Sequence, residues 1–372
     1  MRIAIDARGI NWYHGTGIGT YTDNVIRNLL NINKENYYRL YWSDRNWEDF
    51  LKYNSNIIMT SKKHTRFFEQ NYFNEDLHKA NIDIYHVPQN GIGLNLEANC
   101  KKIITIHDLI PYVMPETVGT GYLLKFLKEV PSLIQNVDGI ITVSEYSKKD
   151  ILKFFPIDPE KIFVTPLAAD GIYKPLDKKQ CKEFITKKYN LDKPFILYIG
   201  GFSPRKNVKL LINSFLETFP LLKKDYILVI AGARKDLGEY LNKKYSNLSS
   251  KIVFTGFIPQ EELPIFYNCC EAFVYPSLYE GFGLPPLEAM SCGAPVITSK
   301  VTSIPEVVED NGLLIDPNDP NALEEALVKL LNDETLKQSF SEKGIQQASK
   351  FSWEQTAYKT LEAYNKVYNN SM

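Results

Sequence analysis

The 372-residue sequence is poor in cysteine. It holds Cys100, Cys181, Cys269, Cys270 and Cys292, with no Cys-x-x-Cys pair. An odd number at irregular spacing supports neither a disulfide framework nor a zinc site, and it predicts a reducing compartment. No run of about eighteen apolar residues occurs, so no helix is expected to span a membrane. Met1 leads straight into the apolar run Ile3–Ile5 without the apolar segment of a signal peptide, which predicts a cytoplasmic chain. An excess of one charge sign is also missing. The 43 Lys and Arg against 44 Asp and Glu leave a formal net charge of -1, with no general pull toward nucleic acid. No Asp-x-Asp is present to hold a divalent cation, so no metal is expected.

What is present is ordinary for a globular protein: 44% apolar and 23% charged residues. The length exceeds what one compact core normally serves and predicts two domains. The N-terminal half alternates short apolar runs with amphipathic stretches. Strands are expected at Ile3–Ile5, Ile82–Val87, Ile103–Ile106 and Gly139–Val143, with helices near 21–30, 122–136 and 145–154. The stretch 173–193 is lysine-rich, carries Pro175 and holds no strand, and it reads as the linker, with a short helix of its own. The pattern then restarts, with strand-like runs at Phe195–Ile199, Ile227–Ala231, Ile252–Phe254, Ala272–Tyr275 and Pro295–Thr298. Two successive βα arrays predict an α/β protein of two Rossmann-like domains facing each other across a cleft. The expected boundaries are 1–175, a linker at 176–193, 194–350, and a terminal helix in 351–372 that packs back toward the first domain.

In such sheets ligands bind beyond the carboxyl ends of the strands. After the strand ending at Tyr275 comes Glu280-Gly281-Phe282-Gly283-Leu284-Pro285-Pro286-Leu287-Glu288. Pro285 suits the first turn of a helix, so the N–H groups of Phe282, Gly283 and Leu284 are expected near a helix N-terminus. There they are unsatisfied donors that suit a phosphate or sugar hydroxyls. Glu288, one turn in, is placed to accept from a ribose diol, and Glu280 to reach a hexose hydroxyl. The competing reading is a capped helix with solvated glutamates. After the strand ending at Ile199, Gly200-Gly201-Phe202-Ser203-Pro204-Arg205-Lys206 puts two cations at the start of a helix. They oppose the helix dipole there, a cost that a bound pyrophosphate would reverse. Two solvated surface charges are the alternative.

The run Glu-Gly-Phe-Gly-x-Pro-x-x-Glu-Ala-Met, with the opening Ile-Asp-Ala-Arg-Gly, resembles the signature of the large retaining glycosyltransferase family of GT-B fold. The likeness covers essentially the whole chain, and in detail it is to bacterial mannosyltransferases of surface polysaccharide synthesis. It implies that Glu280 serves the transferred sugar, Glu288 the ribose and Lys206 the donor pyrophosphate. Many members carry an arginine directly after the glycine that follows the strand. Here that position is Gly201, and Arg205 is the candidate substitute.

Within the glycine turn His14–Tyr21, the resemblance points to Gly17 as a contact for donor phosphate or acceptor. The residues alone read as a tight turn. Trp12, Tyr13 and His14 are candidate acceptor contacts, with half-burial the alternative. His107, at the end of Ile103–Ile106, reads first as structural. The resemblance implies instead that it hydrogen-bonds the transferring sugar, with Asp108 orienting its ring or the acceptor. His86 reads as structural, and Ser144 and Ser147 as helix caps. The basic and apolar helix near 122–134 fits peripheral contact with anionic lipid at the inner face of a membrane, and equally burial against its own domain.

The implied donor is a nucleoside diphosphate sugar, GDP-mannose or a UDP-sugar, with a glycan or lipid-linked acceptor and no separate cofactor. A sugar-nucleotide epimerase and a silent sugar-nucleotide-binding subunit of a polysaccharide assembly complex are the alternatives.

Overall fold

The computed structural model describes residues 1–232 and 236–369 of the chain. They form two compact units, Met1–Leu167 with Ser352 onward, and Ala168–Phe351.

The first unit holds seven strands: β1 (Arg2–Asp6), β2 (Tyr37–Trp42), β3 (Ser55–Met59), β4 (Ile84–Val87), β5 (Lys101–Ile106), β6 (Gly139–Thr142) and β7 (Ile162–Val164). All their pairings are parallel, in the order β3-β2-β1-β4-β5-β6-β7. Parallel sheets are covered on both faces, so their strands are apolar without alternation. Ile3, Ala4 and Ile5 of β1 and Ile103, Ile104 and Ile106 of β5 are accordingly buried. The helix Thr120–Asn136 turns Phe126, Val130, Leu133 and Ile134 into this core.

The second unit repeats the plan with β8 (Phe195–Ile199), β9 (Ile227–Ala231), β10 (Ile252–Gly256), β11 (Ala272–Tyr275), β12 (Val296–Ser299) and β13 (Leu313–Ile315). These pair in parallel as β10-β9-β8-β11-β12-β13. In both sheets the winding reverses at one place, between β1 and β4 and between β8 and β11. The loops leaving those four strands are where a doubly wound sheet receives a ligand.

The stretch read as a linker, 176–193, contains the helix Lys178–Tyr189 and lies inside the second unit. Asp177 caps that helix through Gln180 N, and Tyr189 stacks edge-on against Phe266 of the helix Leu263–Cys269. The terminal helix runs Trp353–Asn369 and packs on the helix Gly17–Ile32 of the first unit. Residues 370–372 of the stretch read as helical lie outside the described residues.

A buried polar chain fastens that terminal helix. Tyr364 Oη meets His86 Nδ1 at 2.7 Å, His86 Nε2 meets Thr105 Oγ1 at 2.8 Å, and Thr105 Oγ1 meets Tyr21 Oη at 3.0 Å. Burial, with His107 nearby, pushes His86 down to about 3, so its ring stays neutral at neutral pH. Both ring nitrogens of His86 are thus engaged structurally. Replacing Tyr364 by Phe leaves Nδ1 of His86 buried without its partner. A loss of about 1–3 kcal/mol is expected, read as a lowered melting midpoint with helix content unchanged.

Candidate active site

The second switch point gathers charge. Beyond β8 the chain turns at Gly200, whose φ of +155° suits glycine. It then enters a short 3-10 turn, Pro204–Lys206, and the helix Val208–Thr218 begins only after Asn207. The two cations therefore sit just ahead of the helix rather than inside its first turn. Beyond β11 the loop carries Glu280. Its Oε1 receives Lys206 Nζ at 2.6 Å and an Arg205 Nη1 contact at 2.7 Å. Tyr275 Oη adds a hydrogen bond at 3.1 Å, Lys206 also reaches Tyr275 Oη, and Arg205 also reaches the Tyr279 carbonyl. All three charged side chains are mostly enclosed. Burial acts to raise the Glu280 pKa, but Lys206 and Arg205 outweigh it and hold the carboxyl at about 2.

The loop itself is tied from β12's side. Glu280 N donates to Thr302 Oγ1, and Ser303 Oγ donates to the carbonyls of Glu280 and Phe282. Gly283 has φ +121°, and a Cβ there would sit 2.8 Å from Ile304 Cδ1. Glycine is the residue that fits. The helix Leu284–Ser291 follows, with prolines in its first turn, so Phe282, Gly283 and Leu284 lie at its N-terminus. The Phe282 ring is buried edge-on against Phe351.

Glu288 is half-buried on that helix. Its Oε2 accepts from Tyr267 Oη at 3.1 Å, and Tyr173 Oη bonds the same carboxyl. Burial pushes Glu288 up to about 8, against the pull of the two tyrosines. Gly201 is exposed with no atom within 4 Å of a built Cβ. Nothing steric demands glycine there, and it is Arg205 that meets Glu280.

The remaining candidates lie in the first unit. His107, at the end of β5, is buried, and its Nε2 meets the Pro88 carbonyl at 2.9 Å. A carbonyl only accepts, so Nε2 carries the proton and Nδ1 is left as the acceptor. Burial lowers the His107 pKa to about 4 despite that carbonyl, and the ring is neutral at neutral pH. Asp108 Oδ1 accepts from Ile110 N, so one of its oxygens serves the local turn. Gly17 opens the helix Gly17–Ile32, which Thr16 caps, and both Gly17 and His14 are exposed. Gly19 is the glycine this turn requires, since a Cβ would fall 2.3 Å from the Tyr13 carbonyl. Ser144 caps the helix Glu145–Phe154 by accepting from Ser147 N.

The structure thus brings Arg205, Lys206 and Glu280 into one cluster and places Glu288 one helix turn beyond the same loop. Sequence reading missed the tyrosines that serve both glutamates: Tyr275 at a strand end, Tyr267 on a helix, and Tyr173 in the segment taken for the linker. An aromatic with a hydroxyl at the carboxyl end of β11 was the available signal.

Two doubly wound parallel sheets, one in each unit, have the GT-B architecture. The Glycosyl transferases group 1 family matches residues 181–347, Glycosyltransferase Family 4 matches residues 16–170, and the chain belongs to the group 1 family. The chain is 34% identical over 284 residues to O-antigen chain mannosyltransferase B of Escherichia coli, covering 76% of this chain and 74% of that protein. It is 30% identical over 279 residues to the serotype-specific mannosyltransferase WbdA of Escherichia coli, covering 73% of this chain but 34% of that longer protein. Among solved structures, sucrose-phosphate synthase from Thermosynechococcus elongatus aligns over 100% of both chains with a TM-score of 0.77 at 20% identity. That likeness is one of fold. Among the described residues, no helix is long and apolar enough to cross a membrane.

Glu288 gives a prediction with a definite sign. Its folded pKa of about 8 lies above the ordinary 4.5, so between those values the folded protein holds a proton that the unfolded chain has lost. The stabilisation is complete below the unfolded value and disappears as pH rises through the folded one. The ligand-free melting temperature is expected to fall between about pH 5 and pH 8. Glu288→Gln should flatten that slope. An equal slope in the variant would refute the assignment.

Proposed function

We propose that the protein transfers a hexose from a nucleoside diphosphate sugar to a hydroxyl of a glycan or lipid-linked acceptor, with retention at the anomeric carbon. Mannose is the favoured hexose and GDP-mannose the favoured donor, because the relative at 34% identity is a mannosyltransferase. The observation that carries the reading is the pair of cations on one carboxylate at the β8/β11 switch point. Two cations and one carboxylate sum to +1 (2 − 1), an excess that suits a pyrophosphate.

In this reading Lys206 and Arg205 turn to the phosphates, and the N–H groups of Phe282, Gly283 and Leu284 add neutral donors. Glu288 accepts from the ribose and Glu280 from the hexose. The bond from the anomeric carbon to the phosphate oxygen breaks while the acceptor oxygen bonds to that carbon on the same face. The acceptor proton passes to the leaving phosphate. The protein's work is positioning and charge stabilisation, with fixed cations in place of a divalent ion. The neutral ring of His107 offers Nδ1 as an acceptor for a sugar hydroxyl. Arg205 supplies the second positive charge that the glycine at 201 lacks, which weighs against a silent subunit.

Transfer is tested with a panel of nucleotide sugars and mannoside acceptors, the product's anomeric configuration being read by NMR. Lys206→Ala and Glu288→Ala should each cut turnover by about a hundredfold or more. Unchanged turnover in both removes the site assignment. Donor binding without transfer would favour the silent subunit, and a changed sugar without acceptor the epimerase.

Arg205→Ala should weaken donor binding about tenfold, and adding Gly201→Arg in that background should recover part of the loss. No recovery would show that position 201 does not face the phosphates.

A further inference from the structure

After Leu167 the chain passes from the first unit to the second. No helix or strand forms between Val164 of β7 and the helix that starts at Lys178. This irregular stretch nevertheless carries a buried tyrosine, Tyr173. Tyr173 N donates to the Asp170 carbonyl at 2.9 Å, and Ile172 N donates to Asp170 Oδ1 at 3.1 Å, which closes a local turn.

One buried amide fastens the stretch to the helix Leu263–Cys269. Asn268 Oδ1 accepts from Leu176 N at 2.8 Å. Its Nδ2 donates to the Lys174 carbonyl at 2.9 Å and to the Pro264 carbonyl at 2.8 Å. The amide oxygen and nitrogen are thus both engaged, as burial requires. Tyr267 precedes Asn268 on that helix. Its ring lies edge-on to Phe273 of β11, with centroids 5.2 Å apart, and edge-on to Tyr173 at 5.8 Å. The two phenols therefore meet Glu288 from different elements, Tyr267 from a helix packed on the sheet and Tyr173 from the crossing stretch. Asp170 and Cys292 face the same carboxyl.

A glutamate side chain turns about several bonds, and ordering it costs entropy at the moment of binding unless its neighbours have fixed it beforehand. A phenol has a single proton to give, so each hydroxyl that donates to Glu288 fixes the carboxyl and defines which lone pairs stay open to a ligand. We propose that Tyr267 and Tyr173 are positioning residues that orient Glu288 on the ribose diol of the donor and set a preference for ribose over deoxyribose. The inference deepens the proposed function and rests on it for the role of Glu288 toward ribose.

The test compares binding of GDP and UDP with that of their 2′-deoxy and 3′-deoxy forms by calorimetry, without transfer. It is run on the wild type, Tyr173→Phe, Tyr267→Phe, Glu288→Ala and, as a control, Tyr226→Phe, whose buried hydroxyl donates to the Leu331 carbonyl. The wild type should prefer the ribose form about tenfold, and Glu288→Ala should show no preference. Each of Tyr173→Phe and Tyr267→Phe should lose about threefold or more of it, while Tyr226→Phe keeps it whole. A full preference in both variants, with none in Glu288→Ala, overturns the inference and leaves the proposed function standing. An equal loss in Tyr226→Phe also overturns it, because general loosening would then suffice. No preference in the wild type, or no nucleotide binding, overturns the role of Glu288 and the inference together. A second readout needs no ligand. The Tyr267 hydroxyl opposes the effect of burial on Glu288, so Tyr267→Phe should carry the fall in melting temperature to higher pH. An unmoved fall overturns the action of that hydroxyl on the carboxyl.

Discussion

The bond network on Glu280 Oε1 is the constraint from which the second unit's chemistry follows. One carboxylate oxygen holds Lys206 and Arg205 from the turn after β8 and Tyr275 at the end of β11. It spans the one place in that sheet where neighbouring strands lead in opposite directions of winding. Without Glu280 two cations would stand side by side, partly enclosed, at the positive end of a helix, an arrangement that repels itself. With it, the cations are held in place and the carboxylate stays ionised down to about pH 2. The loop that carries Glu280 is in turn fixed by Thr302 and Ser303, so the helix beginning at Leu284 has its N-terminus set relative to the same charges.

The contrast between Glu280 and Glu288 shows how environment divides two like residues eight positions apart. Glu280 meets cations and falls to about 2, whereas Glu288 meets tyrosine hydroxyls in a desolvated setting and rises to about 8. Tyrosine donors stabilise an anion far less than ammonium and guanidinium do, so burial wins at the second position. A carboxyl that meets only neutral donors needs no ion pair, and one that organises cations does.

Much of the fold is legible because strand identity in parallel sheets is a local apolar signal. Phe195–Ile199, Ile227–Ala231 and Ala272–Tyr275 are bounded by turns and stand out from the sequence. Tyr37–Trp42 does not, because Arg39 interrupts it and the Arg39–Asp76 ion pair that accommodates the charge comes from a distant helix. Ile162–Val164 and Leu313–Ile315 are too short to show a period. The site divides in the same way. Glycines, prolines and glutamates around residue 284 declare a helix start through local rules. The meeting of Arg205 with Glu280 depends on β8 lying beside β11, and that adjacency is a matter of strand order rather than of any local pattern. Tyr173 was hidden for a related reason: its partners, Tyr267 and Glu288, lie about a hundred residues on.

The two units share one winding order and differ in the sign of the charge at the reversal. Asp6 and Glu69 outnumber Arg8 at the first, and Arg205 and Lys206 outnumber Glu280 at the second. Burial magnifies the difference, because an uncompensated charge in an enclosed site selects its ligand by sign. The second switch point is thereby suited to an anionic group such as a phosphate ester, and the first disfavours one. Repeating one architecture with opposite residual charge separates the two switch points by the sign of the ligand that each favours.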